Sequence, residues 1–199
     1  MNMMKKITNR LAFGVVTIVA TMLLSSAAFA EGRFYIGGSV GETDVDGFCD
    51  DAKDLGLGSC DDTDTGFKVT GGYKINDYLG MEIFYADLGE IDAKGTFMGS
   101  PVSAEAELDG FGASLMGSYP MAENVSLYAR VGVIEWDADI DVRVSGLGSA
   151  SEDDDGTDGV YGVGVQYLFG EQLGVRLEWE RYDLDDEVDM ISLGLAWFF

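Results

Sequence analysis

From residue 33 to residue 199 the chain repeats a two-residue rhythm, large apolar side chains alternating with small or polar ones. That is the pattern of a strand whose two faces meet different surroundings. In RFYIGGSVG, Phe34, Ile36, Gly38 and Val40 oppose Tyr35, Gly37, Ser39 and Gly41. In GFKVTGGYKI, Phe67, Val69, Gly71, Tyr73 and Ile75 oppose Lys68, Thr70, Gly72 and Lys74. LGMEIFYA sets Leu79, Met81, Ile83 and Tyr85 against Gly80, Glu82, Phe84 and Ala86, and DGFGASLMGSY sets Phe111, Ala113 and Leu115 against Gly112, Ser114 and Met116. VSLYARVGVIEW, GVYGVGVQY, GVRLEWERY and the closing ISLGLAWFF continue the series to eight predicted strands.

The connections alternate in length. INDYLG (75–80), YPMAENV (119–125) and FGEQLG (169–174) are tight and rich in turn residues. The other four are mostly longer and acidic. An even number of strands with short turns on one side and long loops on the other predicts an all-β fold, an eight-stranded antiparallel up-and-down transmembrane β-barrel. In hydrocarbon every backbone N–H and C=O must be paired, so a sheet spans only if it closes on itself. A soluble sandwich or lipocalin-like barrel would put the apolar face inside. Here the opposite face carries Lys68, Glu82, Arg130, Arg176, Glu178 and Glu180 among many glycines, which predicts a narrow polar interior with an ionic network. Tyr73, Tyr119, Tyr167, Trp197 and Phe199 fall near the short turns, where an interfacial aromatic girdle is expected.

The first thirty residues read differently. Lys5, Lys6 and Arg10 precede an apolar stretch, Leu11–Leu24, broken by Gly14, Thr17 and Thr21. It falls short of the roughly 20 apolar residues of a membrane-spanning helix. Ala28-Phe29-Ala30 supplies an A-x-A cleavage site, so residues 1–30 are expected to be a signal peptide and residues 31–199 the barrel domain. The formal net charge is −24, and the first thirty residues hold three of the bases and none of the acids. This balance excludes a nucleic-acid ligand. The acids cluster in 44–64, 137–141, 151–158 and 183–189, at the ends of the predicted strands away from the short turns. Cys49 and Cys60 lie within the first cluster, and in an oxidising compartment they are expected to pair. The loop of about a dozen residues would then gain up to ~3 kcal/mol.

LYARVGVIEWDAD (127–139) and VRLEWERY (175–182) resemble the matching strands of the OmpA-like transmembrane domain, and GVGVQY with ISLGLAWFF fits the neighbouring pieces. Small relatives of the OmpX and Ail type share the eight-strand plan. The resemblance implies an integral protein of the Gram-negative outer membrane, in contact with its lipid and lipopolysaccharide and expected as a monomer. It also implies that Leu195, Trp197 and Phe199 form a C-terminal assembly signal read by the outer-membrane insertion machinery. A periplasmic peptidoglycan-binding domain, found in the larger OmpA-type proteins, is not carried over. Gln166 stands where those proteins often have a lumen Glu.

Four classes of function follow. Catalysis is disfavoured, because most barrel-enzyme chemistries lean on a histidine base and the chain has none. Carboxylate chemistry by Glu178 and Glu180 competes with the plainer reading that they pair with Arg130, Arg176 or Lys68. Metal binding is weak. DVDG (44–47) with Glu42, Asp44 and Asp46 meets Lys53 where an EF-hand needs Glu, and DDDG (153–156) meets Ser151 and Gly162 at the first and twelfth positions. No cofactor is expected. An eight-stranded barrel is filled by its own side chains, so conduction is limited to a small gated ion pore with Glu82 and Arg130 as its block. The remaining class is an envelope protein whose acidic loops meet a protein or host ligand, an adhesin of the Ail type being the third choice.

Overall fold

The alternation is realised as antiparallel strands in a computed structural model that describes residues 32–45, 57–61, 63–97, 100–144, 148–184 and 187–199. Nine strands run in chain order: β1 Arg33–Val45, β2 Leu57–Asp61, β3 Thr63–Lys74, β4 Leu79–Phe97, β5 Ser100–Pro120, β6 Val125–Val144, β7 Gly148–Phe169, β8 Leu173–Asp183 and β9 Glu187–Phe198. Eight of them, β1 and β3–β9, form the barrel. It closes where β1 meets β9, from Tyr35↔Phe198 through Val40↔Leu193 to Val45↔Val188. Closure leaves no sheet edge at membrane depth. Phe199 adds one further link, its N–H donating to the carbonyl of Phe34 at 2.9 Å.

The tight connections are held locally. In the β3–β4 turn the Asn76 side chain accepts from the N–H groups of Tyr78 and Leu79 at 2.8 and 2.9 Å. In the β7–β8 turn Gly170 takes a positive φ of 67°, a conformation glycine adopts without steric cost. Positions on the apolar parity, among them Ile36, Val69, Ile83, Leu115, Val131, Val163 and Leu193, form the outer wall and are exposed to the surrounding phase. Tyr119, Tyr167, Trp197 and Phe199 are exposed on that wall near the short turns, whereas Tyr73 is buried, its ring packed on Phe34 at 4.7 Å.

The strands are unequal. β4 to β7 run 19, 21, 20 and 22 residues. β1, β3, β8 and β9 run only 13, 12, 11 and 12. About 9–11 tilted residues cross a membrane, so one side of the barrel continues as a sheet well beyond it. The acidic segments 137–141 and 151–158, expected as loops, are therefore β6 and β7 strand. They remain extended because each residue finds a ladder partner, Asp137↔Asp155 to Val144↔Gly148 on one side and Asp109↔Asp137 to Val102↔Val144 on the other. β2 is an addition to the eight predicted strands, and it pairs with the upper part of β4. Where β4 leaves the barrel a bulge shifts its register between Asp87 and Glu90, with Gly89 at φ 88°. The bulge is pinned by Asp64, whose carboxylate accepts from the Glu90 N–H at 2.7 Å.

Candidate functional site

The interior is layered, and β6 reads the layers in order. Its inward residues are Tyr128, Arg130, Gly132, Ile134 and Trp136. Nearest the short turns, Tyr128 packs with Tyr35, Met116, Ala196 and Phe198 in an apolar cluster. Arg130 lies in an ionic layer above it. Higher still, Ile134 and Trp136 join Phe84, Val160, Tyr182, Val188 and Met190 in a larger apolar cluster. The expectation of a simply polar interior is thus corrected. Val188 and Met190 belong to the inward parity of β9, and both are buried within the upper cluster.

Lys68, Glu82, Arg130, Arg176, Glu178 and Glu180 all come together in the ionic layer, and all are buried. Arg130 is its hub: its guanidinium lies 3.0 Å from Glu82, 3.1 Å from Glu178 and 3.0 Å from Glu180, and donates to Ser114 at 2.8 Å. Lys68 pairs with Glu178 at 3.0 Å and also with Glu180. Arg176 pairs with Glu82 at 2.7 Å and donates through Nε to Gln166 at 2.9 Å. Three cations face three carboxylates, so the layer is formally neutral. Such a balance is what allows charges to stay buried, since an unpaired one is strongly disfavoured.

The strands deliver these groups by parity, and glycine opposite them leaves the room. Glu178 and Glu180 stand two apart on β8, facing Gly164 and Gly162 of β7. The Tyr35 ring lies over Gly72, where an added Cβ would overlap it, and the Tyr128 ring lies over Gly164, where an added Cβ would sit 2.5 Å from the ring. Tyr35 donates its hydroxyl proton to Glu82, and Arg176 stacks on Tyr35 and Tyr128 at 4.7 and 5.5 Å. Tyr35, Tyr128 and Ser114 were not among the predicted network residues. Inward parity beside an inward glycine is the signal that could have found the two tyrosines.

Above the membrane the outer face of the protruding sheet carries rows of acids. One row is Glu90–Glu107–Asp139–Asp153, across β4, β5, β6 and β7, and the next is Asp87–Asp109–Asp137–Asp155. Partial desolvation, then the facing Asp153 carboxylate, with Asp109 and Asp137 beyond, hold Asp139 above the usual carboxylate range. On the inner side Trp136 donates its indole N–H to Asp158 at 2.8 Å. Among the described residues no group of three or more Asp, Glu, Cys or His is placed to hold a metal ion.

Ala28 and Ala30 lie outside the described residues, as does Cys49, and with it the pairing with Cys60. Asp46, Gly47 and Lys53 also lie outside them, whereas DDDG (153–156) is β7 strand. Leu195, Trp197 and Phe199 point outward and are exposed, with Phe198 turned into the lumen.

The family described as outer membrane protein beta-barrel domain matches residues 16–199. Outer membrane protein A of Klebsiella pneumoniae is 28% identical over 186 residues, 87% of this chain and 53% of that protein. The Shigella flexneri protein of the same name is 31% identical over 110 residues, 55% of this chain and 30% of its own length. The chain thus spans about half or less of these relatives. Among solved structures, Ail of Yersinia pestis superposes with a TM-score of 0.54 at 20% identity, covering 84% of this chain and 97% of Ail. OprG of Pseudomonas aeruginosa gives 0.58 at 17% identity, covering 83% and 96%. At these identities the likeness is one of fold.

Proposed function

Since the chain belongs to the outer membrane protein β-barrel domain family and is an outer-membrane β-barrel, we propose that it serves the Gram-negative envelope as a closed, non-conducting wall element that carries an acidic face for interaction outside the cell. The observation behind the closed reading is the layering of the lumen. A neutral ion layer lies between two apolar clusters, the upper one containing Ile134, Trp136, Tyr182 and Met190, all at most 5% exposed. The short-turn end opens into a cavity that Arg176 lines together with Tyr35 and Phe198, but an ion crossing the barrel must still pass the upper apolar layer, and its desolvation there is uncompensated. Catalysis is not part of this reading: Glu178 and Glu180 are engaged by Lys68 and Arg130. The acidic rows supply the interaction half. They favour basic partners at low ionic strength and repel bare phosphates, lipopolysaccharide included, unless cations intervene.

The test is single-channel recording of the refolded chain, residues 31–199, in a planar bilayer. Silence from a sample whose barrel is shown to be folded is the expected result. Discrete, reproducible openings would replace this reading with the small gated pore, for which the cross-lumen Arg130–Glu82 pair is the natural block.

A further inference from the structure

A cavity of about 520 Å³ opens at the short-turn end of the barrel, a size suited to a small ligand. Tyr35, Met116, Leu168 and Phe198 give it apolar walls, and Gln166 and Arg176 set polar groups among them. The ionic layer and the upper apolar cluster lie above it, so a molecule held there has no onward path. One wall is a column of cations and rings. The Arg33 guanidinium lies 5.6 Å over the Phe198 ring near the mouth. Phe198 packs on Tyr35 at 4.9 Å, and Tyr35 carries the Arg176 guanidinium at 4.7 Å.

Two donors of this cavity lack an acceptor. Arg176 is only 8% exposed. Its Nη1 donates to Glu82 and its Nε to Gln166, while its Nη2 has no partner among the described residues. Leaving such a nitrogen buried and unpaired is unfavourable. Arginine has donors alone, so Gln166 must turn its carbonyl oxygen to Arg176 and its amide NH2 away. Among the described residues that NH2 meets no acceptor either. A carboxylate at position 166 would put negative charge here, whereas glutamine puts a donor.

Charge at the mouth is mixed. Lys74 is held by Asp77 at 2.8 Å, and Arg33 donates to the backbone carbonyl of Glu171. Asp77, Glu123 and Glu171 are exposed, so water and salt screen them, whereas the Arg176 charge acts from a buried position where it is felt more strongly. The inner end therefore selects an anion, and the apolar walls select one with a short hydrocarbon body. A carboxylate suits the two donors, having two oxygens to accept from them.

We propose that this cavity binds a small aliphatic monocarboxylate from the periplasmic side, where the short turns lie. Its oxygens accept from Arg176 Nη2 and Gln166 Nε2, and its hydrocarbon body rests on Met116, Leu168 and Phe198. The site lies at the opposite end of the barrel from the acidic rows and is independent of them.

The test follows the Arg176 Nε–H and Gln166 NH2 signals of the refolded barrel, residues 31–199, by NMR in detergent micelles. Sodium butyrate should shift both saturably, binding about tenfold or more tighter than butyramide, its uncharged isostere, equivalent to ~1.4 kcal/mol. Sodium chloride at the same ionic strength should not reproduce the shifts. Gln166→Glu keeps the size but brings a carboxylate, and should weaken butyrate by about tenfold or more in a barrel shown by circular dichroism to be folded. Leu168→Ala leaves both donors in place, and should cut the margin of butyrate over acetate by about threefold. No saturable butyrate shift in the wild-type barrel overturns the site. Equal binding of butyrate and butyramide, or shifts that chloride reproduces, overturns the carboxylate. Butyrate binding that a folded Gln166→Glu barrel retains in full places the ligand elsewhere and overturns the proposal. Should that variant fail to fold, Leu168→Ala decides, and an unchanged margin over acetate overturns it equally.

Discussion

Arg130 on β6 meets Glu82 on β4 across the lumen at 3.0 Å, reaching past β5, whose Ser114 accepts a second bond from the same guanidinium nitrogen at 2.8 Å. The pair therefore ties together strands that share no backbone ladder. A buried ion pair adds little net stability over an apolar filling, but losing one partner leaves the other charge stranded. Glu82 also faces Arg176 at 2.7 Å, so its removal takes a carboxylate from two guanidinium groups at once and leaves three buried cations facing two carboxylates.

The first prediction follows from that asymmetry. Glu82→Ala should destabilise the barrel by about 3–5 kcal/mol, the usual cost of breaking a buried pair. Glu82→Ala with Arg130→Ala should cost less than the sum of the single changes, because removing both leaves two cations facing two carboxylates. Urea unfolding of the refolded barrel measures all three. Simple additivity would mean that the two residues act independently and that the tie is not energetic.

The second concerns conduction. The ionic layer is bounded by Tyr35, Met116 and Phe198 on one side and by Phe84, Ile134 and Met190 on the other. Breaking the ion layer alone, by Glu82→Gln, should leave a bilayer silent. Adding Phe84→Ser, Ile134→Ser and Met190→Ser wets the upper layer, and adding Met116→Ser loosens the lower; only that combination should give openings. Openings from Glu82→Gln alone would locate the block in the ion pair and not in the apolar layers.

How far the sequence carried can be judged from particular residues. The outer wall was legible because Ile36, Val69 and Leu193 stand at a strict period of two, with small or polar neighbours. The six ionic residues were legible because a charge on the opposite parity has nowhere to go but the lumen. The apolar layers were not, because Ile134 and Met190 resemble wall residues in type, and only their parity, set by neighbours several positions away, turns them inward. The upper strands were missed for a different reason. Asp137, Asp139, Asp153 and Asp155 have low β propensity, and pairing with β5 and β6 overrides it. β2 depends on a partner far along the chain, which no local pattern reveals.

The third prediction tests that crowded sheet by pH. Asp139 is held above the ordinary carboxylate range by partial desolvation and then by Asp153. A carboxyl whose folded pKa is raised favours folding when protonated, so the penalty is absent below its unfolded pKa, ~4. It grows as pH rises through the folded value. Asp139→Asn should therefore protect the β5–β7 extension from amide exchange at neutral pH, and the gain over wild type should vanish on acidification. Added salt should also shrink it, since the repulsion is exposed to solvent. A gain that persists unchanged at low pH would point to a packing effect of the asparagine.

The fourth prediction separates two glycines on opposite faces of the wall. Gly72 is an inward β3 position, and an added Cβ would overlap the Tyr35 ring, whereas Gly117 of β5 has nothing within 4 Å. The Tyr35 ring cannot withdraw freely, because its hydroxyl donates to Glu82 and its face carries the Arg176 guanidinium at 4.7 Å. Gly72→Ala must therefore displace Tyr35 and loosen the ion layer, at a cost of about 1–3 kcal/mol by analogy with overpacked cores. Gly117→Ala should be within about 0.5 kcal/mol of wild type. Shortening the obstacle should rescue the first change: Gly72→Ala combined with Tyr35→Ser should be less destabilised than the two single costs added together. Unfolding curves for the four variants decide the matter. Equal costs for the two glycine changes, or no rescue by Tyr35→Ser, would mean that Gly72 is needed for its backbone and not for the space it leaves to Tyr35.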